Sequence, residues 1–394
     1  MAPGLFANLN SAIGEARLAV RVRSMLGVKE DPNLKVGING FGRLGRLVCK
    51  AVQEMEGIDV VAINDPYIEA DYMAYMLQHG DGRTPVGAYG GGVVVEDGQL
   101  LLDGRPVTVM AVREPSEINW VSTGARYIVE CSGCFETLRR ASGHLTGGAQ
   151  RVIIASPSAD TIPADTPQFV MGANHLSYAN ETVISAGSTA SHCLSILAKV
   201  VHESVGIAHA SVSVLHSSKE RELDHVTAGP AGPESSDWRS GRGEGVDVIP
   251  AASEAAASLP KLVPDLAGRV GGSCFRVPSE GGVSVLDLTL ILETPCELAR
   301  LKQIIREAAA TSALRGKLGY RDDSVDSHDF AADGRSCILD GASCMAPGGS
   351  SEEGSSLVKL VAWYANEWPY ARRMVELMLH MQDVDHGVVA EALE

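Results

Sequence analysis

The chain has 394 residues, 45 % of them hydrophobic and 21 % charged, with a formal net charge of −16. That length calls for more than one core, and that acidity excludes a general nucleic-acid binder, which needs clustered Lys and Arg. No run of about 18 apolar residues occurs, so no membrane-spanning helix is expected.

Residues 1–33 form an N-terminal extension. Its "SAIGEARLAVRVRSMLG" puts Leu18, Val22 and Leu26 on one helical face with Arg17 and Arg21 beside it. Such a segment serves either as an amphipathic helix packed on its own domain or a partner, or as an import signal; Glu15 counts against import. The pattern then alternates. "LKVGIN" reads as a strand, "RLGRLVCKAVQEM" as a helix and "IDVVAIND" as a strand, and "ARYIVECS", "QRVIIAS", "PQFVMGA" and "ETVISAG" read as further strands. Strands alternating with helices predict a parallel sheet covered on both faces, a doubly wound α/β domain over 34–188.

Helix "ASHCLSILAKVVHESVG" opens a second domain, 189–352, in which the strands "HASVSVLH" and "GGVSVLDLTLILETP" predict an α+β fold with a mostly antiparallel sheet. "ELARLKQIIREAAA" and "SLVKLVAWYANEWPYARRMVELMLHM" read as amphipathic helices, the latter kinked or divided at Pro369. Residues 353–386 are thus expected to be a C-terminal helix returning to the first domain. "DHVTAGPAGPESSDWRSGRGEG" and "MAPGGSSEEGSS" read as loops. The eight cysteines are scattered, which suits reduced thiols, and "CSGC" (Cys131, Cys134) has no second pair to complete a metal site.

"VGINGFGRLGRL" places Gly40, Gly42 and Gly45 in G-x-G-x-x-G between a strand and a helix. That context suits a pyrophosphate lying on a helix N-terminus. Asp65, about 20 residues beyond Gly45 at the end of the next strand, accepts hydrogen bonds from an adenosine ribose and repels a 2'-phosphate, so NAD is the expected cofactor.

From Leu34 to about Gln382 the chain resembles the glyceraldehyde-3-phosphate dehydrogenase family. The resemblance rests on "KVGINGFGRLGRL", "VVAINDPYI", "GARYIVECSGCF", "FVMGANH", "DWRSGRGE", "CFRVP" and "WYANEWPYARRMVELMLHM", in the family's order. It implies cofactor contacts at Asn39, Gly40, Phe41, Gly42, Arg43, Leu44, Asp65, Arg113, Ser132, Gly133, Asn366 and Tyr370, with a Ser-Thr-Gly turn changed to Cys131, Ser132 and Gly133. It implies a catalytic histidine at His216, substrate or phosphate contacts at Ser188, Arg239, Arg242 and Arg276, and Lys219 and Arg221 where the family has threonines. A homotetramer acting on a phosphorylated aldehyde is the family's expectation.

The family's nucleophile run Ser-Cys-Thr-Thr-Asn-Cys aligns with Ser188, Thr189, Ala190, Ser191, His192 and Cys193. Thr189 stands where the attacking cysteine belongs, and Cys193 matches the second, non-attacking cysteine one turn further in, on the core side. A second Ser-Thr-Gly becomes Ala252, Ser253 and Glu254, and Glu254 would repel phosphate. Three readings follow: a catalytically silent NAD-binding protein; an active NAD-dependent dehydrogenase using Cys193 or an altered reaction; and a structural subunit of a larger assembly docked through the N-terminal helix. The expected compartment is the cytoplasm, or a mitochondrion or plastid if the extension is an import signal.

Overall fold

The computed structural model describes residues 33–80, 87–157, 166–218, 247–279, 281–347 and 354–387. The predicted N-terminal helix, Lys219, Arg221, Arg239 and Arg242 lie outside these.

The first sheet contains β1 (Leu34–Asn39), β2 (Ile58–Asn64), β3 (Val93–Glu96), β4 (Gln99–Leu102), β5 (Arg105–Met110), β6 (Tyr127–Glu130), β7 (Arg151–Ile154) and β8 (Val183–Ser185). Its order is β3-β4-β5-β2-β1-β6-β7-β8. Strands β5 to β8 of that order are parallel, and β3 and β4 form an antiparallel edge. β1 buries Leu34, Val36 and Ile38 almost completely, as a strand covered on both faces must. From β1 the chain winds outward through β2 and β5, then crosses to β6 on the other side. The crevice beyond the carboxyl ends of β1 and β6 is therefore the topological switch point, where such sheets bind ligands. Helices α1 (Arg43–Gln53) and α2 (Ala70–His79) follow β1 and β2.

Helix α3 (Thr189–Val205) leads into the second sheet. Its strands are β9 (Ile207–Ser218), β10 (Ile249–Ala252), β11 (Val270–Pro278), β12 (Val283–Cys296), β13 (Leu318–Arg321), β14 (Cys337–Asp340) and β15 (Ser355–Ala365), ordered β10-β11-β9-β12-β15-β14-β13. Every pair is antiparallel except β9 with β11 and β13 with β14. Helices α3, α4 (Glu254–Leu262) and α5 (Leu298–Ala310) cover one face. β12 shows the period-2 logic: Leu286, Leu288, Leu290 and Leu292 are buried, while Ile291 between them is exposed. The predicted fold class, a doubly wound domain beside an α+β domain, is the observed one.

Two predicted elements differ. "SLVKLVAWYANEWPYARRMVELMLHM" is not a helix interrupted by Pro369. Its first part is strand β15, paired on both sides by β12 and β14, and only Trp368–Asp385 is helical (α6). Pro369 sits in the first turn of α6, where its missing N–H costs nothing. The stretch "PQFVMGA" forms only an isolated bridge, Gln168 to Ser185, before turning. There the Asn174 side chain accepts from Val170 N–H at 2.8 Å and donates to the Gln168 carbonyl at 2.8 Å, in place of a strand ladder.

Helix α6 packs back on the first domain, where Ala371, Met374, Val375 and Met378 join Leu47, Val48 and Ala51 in one core. Arg151 Nη2 to Asp385 at 2.9 Å fastens its far end. The approach of α1 to β1 is equally tight: a Cβ on Gly45 would lie 2.2 Å from the Gly40 carbonyl oxygen. Gly45→Ala is therefore expected to lower the unfolding free energy by about 1–3 kcal/mol, read from the midpoint and slope of a urea titration.

Candidate active and cofactor site

The glycine turn after β1 divides its work among three positions. Gly40 has φ +92°, and a Cβ there would lie 2.6 Å from the backbone nitrogen of Ser132. Gly45 allows the helix to approach the strand. Among the described residues, a Cβ on Gly42 would meet nothing within 4 Å. The protein itself does not need Gly42 to be small, so the space is what a close-lying ligand would use. Helix α1 begins at Gly42 with no side-chain cap and no acid in its first turn. Its free N–H groups and dipole favour an anion there. The residues present fit a dinucleotide.

Asp65 follows β2 and is 8 % exposed. It accepts from Phe41 N–H at 2.8 Å and Tyr67 N–H at 2.9 Å, which aims the carboxylate along the rim of the turn. Arg113 lies over the exposed Tyr67 ring at 5.4 Å, an open platform on the same rim. Leu44 packs against the core, and Arg43 pairs with Glu367 at 2.5 Å, next to Asn366. Asn39 donates to Glu130 at 2.6 Å, and the Ser132 hydroxyl donates to the same carboxylate at 2.5 Å. Gly133 takes φ +70° in the turn after β6. Glu130 and the buried His144 that bonds it at 2.8 Å were not read from the sequence. The available signal was an acid ending the otherwise apolar strand "YIVE".

On the other side, β9, β12 and β15 bring His216, Ser284 and Asn366 together. Ser284 Oγ lies 3.4 Å from His216 Nδ1 and donates to Asn366 Oδ1 at 2.5 Å. Asn366 Nδ2 donates to the Ser217 carbonyl at 3.0 Å. Arg276 on β11 is in register with His216. Burial, then the neighbouring Arg276 charge, lowers the His216 pKa to about 4, so the ring is a neutral base at pH 7.

Helix α3 starts in this region. Ser188 is its N-cap: Ser188 Oγ accepts from Ser191 N–H at 3.1 Å, and Ser188 N–H donates to Ser191 Oγ at 3.2 Å, a reciprocal capping pair. Thr189 is the first helical residue and is partly buried. Ser191 Oγ meets Ser258 Oγ of α4 at 3.1 Å. Ala190 packs against the second core, and Ala252 ends β10. Ser253 caps α4, and Glu254 is its first residue and is exposed. Crowding by the protein raises the Glu254 pKa, against the pull of Arg276. Cys193 is fully buried, its thiol hydrogen-bonded with Cys337 of β14, and burial pushes its pKa well up. Burial and nearby Glu130 do the same to Cys131. All eight cysteines are free thiols.

A doubly wound sheet with an open glycine turn, joined to an antiparallel domain carrying a neutral histidine, defines a two-domain protein of the dinucleotide-dependent dehydrogenase class. Residues 34–138 match the glyceraldehyde 3-phosphate dehydrogenase NAD binding domain and residues 188–366 the C-terminal domain of the same family. The chain is 42 % identical over 351 residues to glyceraldehyde-3-phosphate dehydrogenase of Danio rerio, covering 88 % of this chain and 98 % of that protein. It is 43 % identical to the chloroplastic protein GAPCP1 of Arabidopsis thaliana over 88 % of this chain and 78 % of that one. A cytosolic relative from Chondrus crispus is 41 % identical over 89 % of this chain and 98 % of its own length. The chain belongs to the glyceraldehyde-3-phosphate dehydrogenase family.

His192, also on α3, is 3 % exposed and bonds the Ala186 carbonyl through Nε2 at 2.7 Å. Burial lowers its pKa from 6.5 to about 4. The unfolded chain therefore binds a proton more readily, and the stabilisation present above pH 6.5 is lost as pH falls toward 4. Replacing His192 by Gln keeps a donor for Ala186 and removes the titration. Between pH 7 and pH 5 the wild type is expected to lose about 2 kcal/mol more than His192→Gln, measured by urea unfolding at both pH values.

Proposed function

We propose that this protein is an NAD-binding member of its family that has lost the acyl-thioester chemistry. The observation that carries the reading is the start of α3: Thr189 opens the helix at the Ser188 cap, and the nearest thiol on that helix, Cys193, is enclosed in the core against Cys337. A thiolate adds to an aldehyde, lets a hydride leave and holds an acyl group in reactive form. A threonine hydroxyl is far less acidic, is hindered, and yields an unactivated oxygen ester. Loss of a catalytic nucleophile costs on the order of a millionfold in rate. The neutral His216 accepts a proton poorly from such a hydroxyl. Glu254 beside Arg276 disfavours phosphate as second substrate.

NAD, when bound, supplies the hydride acceptor. In this reading the N–H groups at the start of α1 hold the pyrophosphate, Asp65 faces the adenosine ribose, Arg113 lies toward the adenine, and Asn366 holds the carboxamide end. Ser188, Arg276 and the cationic residues Lys219, Arg221 and Arg239 are proposed for an anionic substrate. The outward face of the second sheet leaves Leu215, Ile291 and Leu357 exposed, and a homotetramer is proposed to cover it. The proposed compartment is the cytoplasm; the Chondrus relative is cytosolic and the Arabidopsis relative chloroplastic.

The second reading, an active dehydrogenase, is favoured by His216, Ser284 and Asn366 standing together. One preparation decides between them. Titrated with NAD, the protein is expected to bind it; given NAD and glyceraldehyde 3-phosphate, it is expected to form no NADH. Thr189→Cys is expected to release a burst of about one NADH per chain, because thiolate addition and hydride transfer precede the phosphate step. Ordinary turnover by the wild type, abolished by alkylating Cys193, would establish the active reading instead.

A further inference from the structure

Glu130 and His144 lie under the dinucleotide turn without lining it. Glu130 ends β6, in register with Asn39 at the end of β1, and is 3 % exposed; His144 is 0 % exposed. Four donors converge on the one carboxylate. Oε2 accepts from Asn39 Nδ2 at 2.6 Å and from His144 Nε2 at 2.8 Å. Oε1 accepts from Ser132 N–H at 2.7 Å and Ser132 Oγ–H at 2.5 Å. The imidazole tautomer follows from its other neighbour. Trp120 Nε1, which can only donate, lies 3.1 Å from His144 Nδ1, so the ring proton sits on Nε2 and points at Glu130. Asn39 in turn accepts from Asn64 Nδ2 at 2.7 Å, and Ser132 Oγ accepts from Cys134 N–H at 3.2 Å. A buried acid that, among the described residues, has four donors and no Arg or Lys bonded to it is costly to place. It joins two loops, the turn at Gly40 and the turn at Ser132, whose backbones already touch.

We infer that Glu130 and His144 are positioning residues for the cofactor: they fix the distance between the β1 and β6 turns, and so the aim of the N–H groups at the start of α1 at a pyrophosphate. This rests on the cofactor reading above. Ser132, with its N–H and hydroxyl both committed to Glu130, serves the site through this frame and its backbone. Glutamine at position 130 cannot reproduce the arrangement. It has one acceptor oxygen and one NH2: in one orientation the NH2 faces Asn39 Nδ2 and His144 Nε2–H, and in the other it faces the Ser132 N–H.

The test is NAD titration of the full chain with hydrogen exchange at Gly40–Gly42 and a thermal melt on the same samples. Glu130→Gln is expected to bind NAD at least about tenfold more weakly and to exchange those amides faster. Ser132→Ala, a loop change that spares the core, is expected to weaken binding about threefold to tenfold. His144→Gln keeps a donor for Glu130 and an acceptor for Trp120 and is expected to stay within about threefold of wild type, whereas His144→Leu follows Glu130→Gln. Unchanged NAD affinity and exchange in Glu130→Gln and Ser132→Ala, with only a lowered melting temperature, would overturn the inference. Should Glu130→Gln fail to fold, Ser132→Ala and the two His144 variants decide. Absence of NAD binding by the wild type would sink the cofactor reading, and the exchange rates would still show whether Glu130 sets the turn.

Discussion

The turn Ala186–Ser188 is the constraint on which the two-domain arrangement depends. Gly187 takes φ +72°, and a Cβ there would lie 2.3 Å from Gln168 Nε2. Its N–H donates to Ser185 Oγ at 3.0 Å. The two carbonyls of the turn are then taken by groups from elsewhere in the fold: Ala186 by His192 of α3, and Gly187 by the Tyr370 hydroxyl of α6 at 2.6 Å. His192 and Tyr370 also touch, ring to ring, at 5.1 Å. The last strand of the first sheet, the first helix of the second domain and the C-terminal helix therefore meet at three residues. Because buried carbonyls left without donors are expensive, none of the three elements can shift alone. The start of α3 is fixed as a result, and with it the position of Thr189, its first residue.

A second closed arrangement holds the histidine side. Ser217 N–H donates to Ser284 Oγ at 3.0 Å, Ser284 Oγ donates to Asn366, and Asn366 returns a bond to the Ser217 carbonyl. This ring ties β9, β12 and the end of β15 together whatever reaction takes place beside it. Ser284 and Asn366 thus have a reason to be present in a protein that performs no catalysis, and their presence discriminates poorly between an active and a silent member. A nucleophilic thiol has no such second duty at a helix start. In the proposed reading, Thr189 standing at the thiol's place is the more telling feature.

Much of this was legible in the residues. The three glycines could be read because Gly40 and Gly45 each meet a separate steric need of the turn while Gly42 leaves its space open, and that division fixes their spacing. Asp65 could be read because its position follows from the length of one β-α-β unit. The strand β15 was misread because Leu357, Val358, Leu360 and Val361 satisfy a helical period as well as an alternating one; only pairing on both edges by β12 and β14 decides the matter, and partners distant in sequence leave no local mark. Glu130 and His144 escaped for a related reason. Fourteen positions apart on different elements, they make sense only once both are buried at the same strand end. His192 was visible as a residue, but its bond to Ala186 depends on a turn geometry that propensity does not specify.

The choice between a silent and an active protein reduces to helix geometry. Thr189 and Cys193 are four residues apart, on one face of α3, so the thiol lies about 6 Å deeper along the axis. Bringing it to the position of Thr189 means unwinding the first turn. That step dissolves the Ser188–Ser191 capping pair, worth about 1 kcal/mol, breaks the His192 bond to Ala186, and draws a fully buried thiol away from Cys337. The Ser191 contact with Ser258 goes too, loosening α4 one turn beyond its first residue, Glu254. Each loss is modest, but they fall on the same turn that Tyr370 locks from the other domain, so they cannot be taken one at a time. An active form built on Cys193 would have to be a locally unfolded one, and the cofactor and histidine positions that make it attractive are anchored to the part that must come apart.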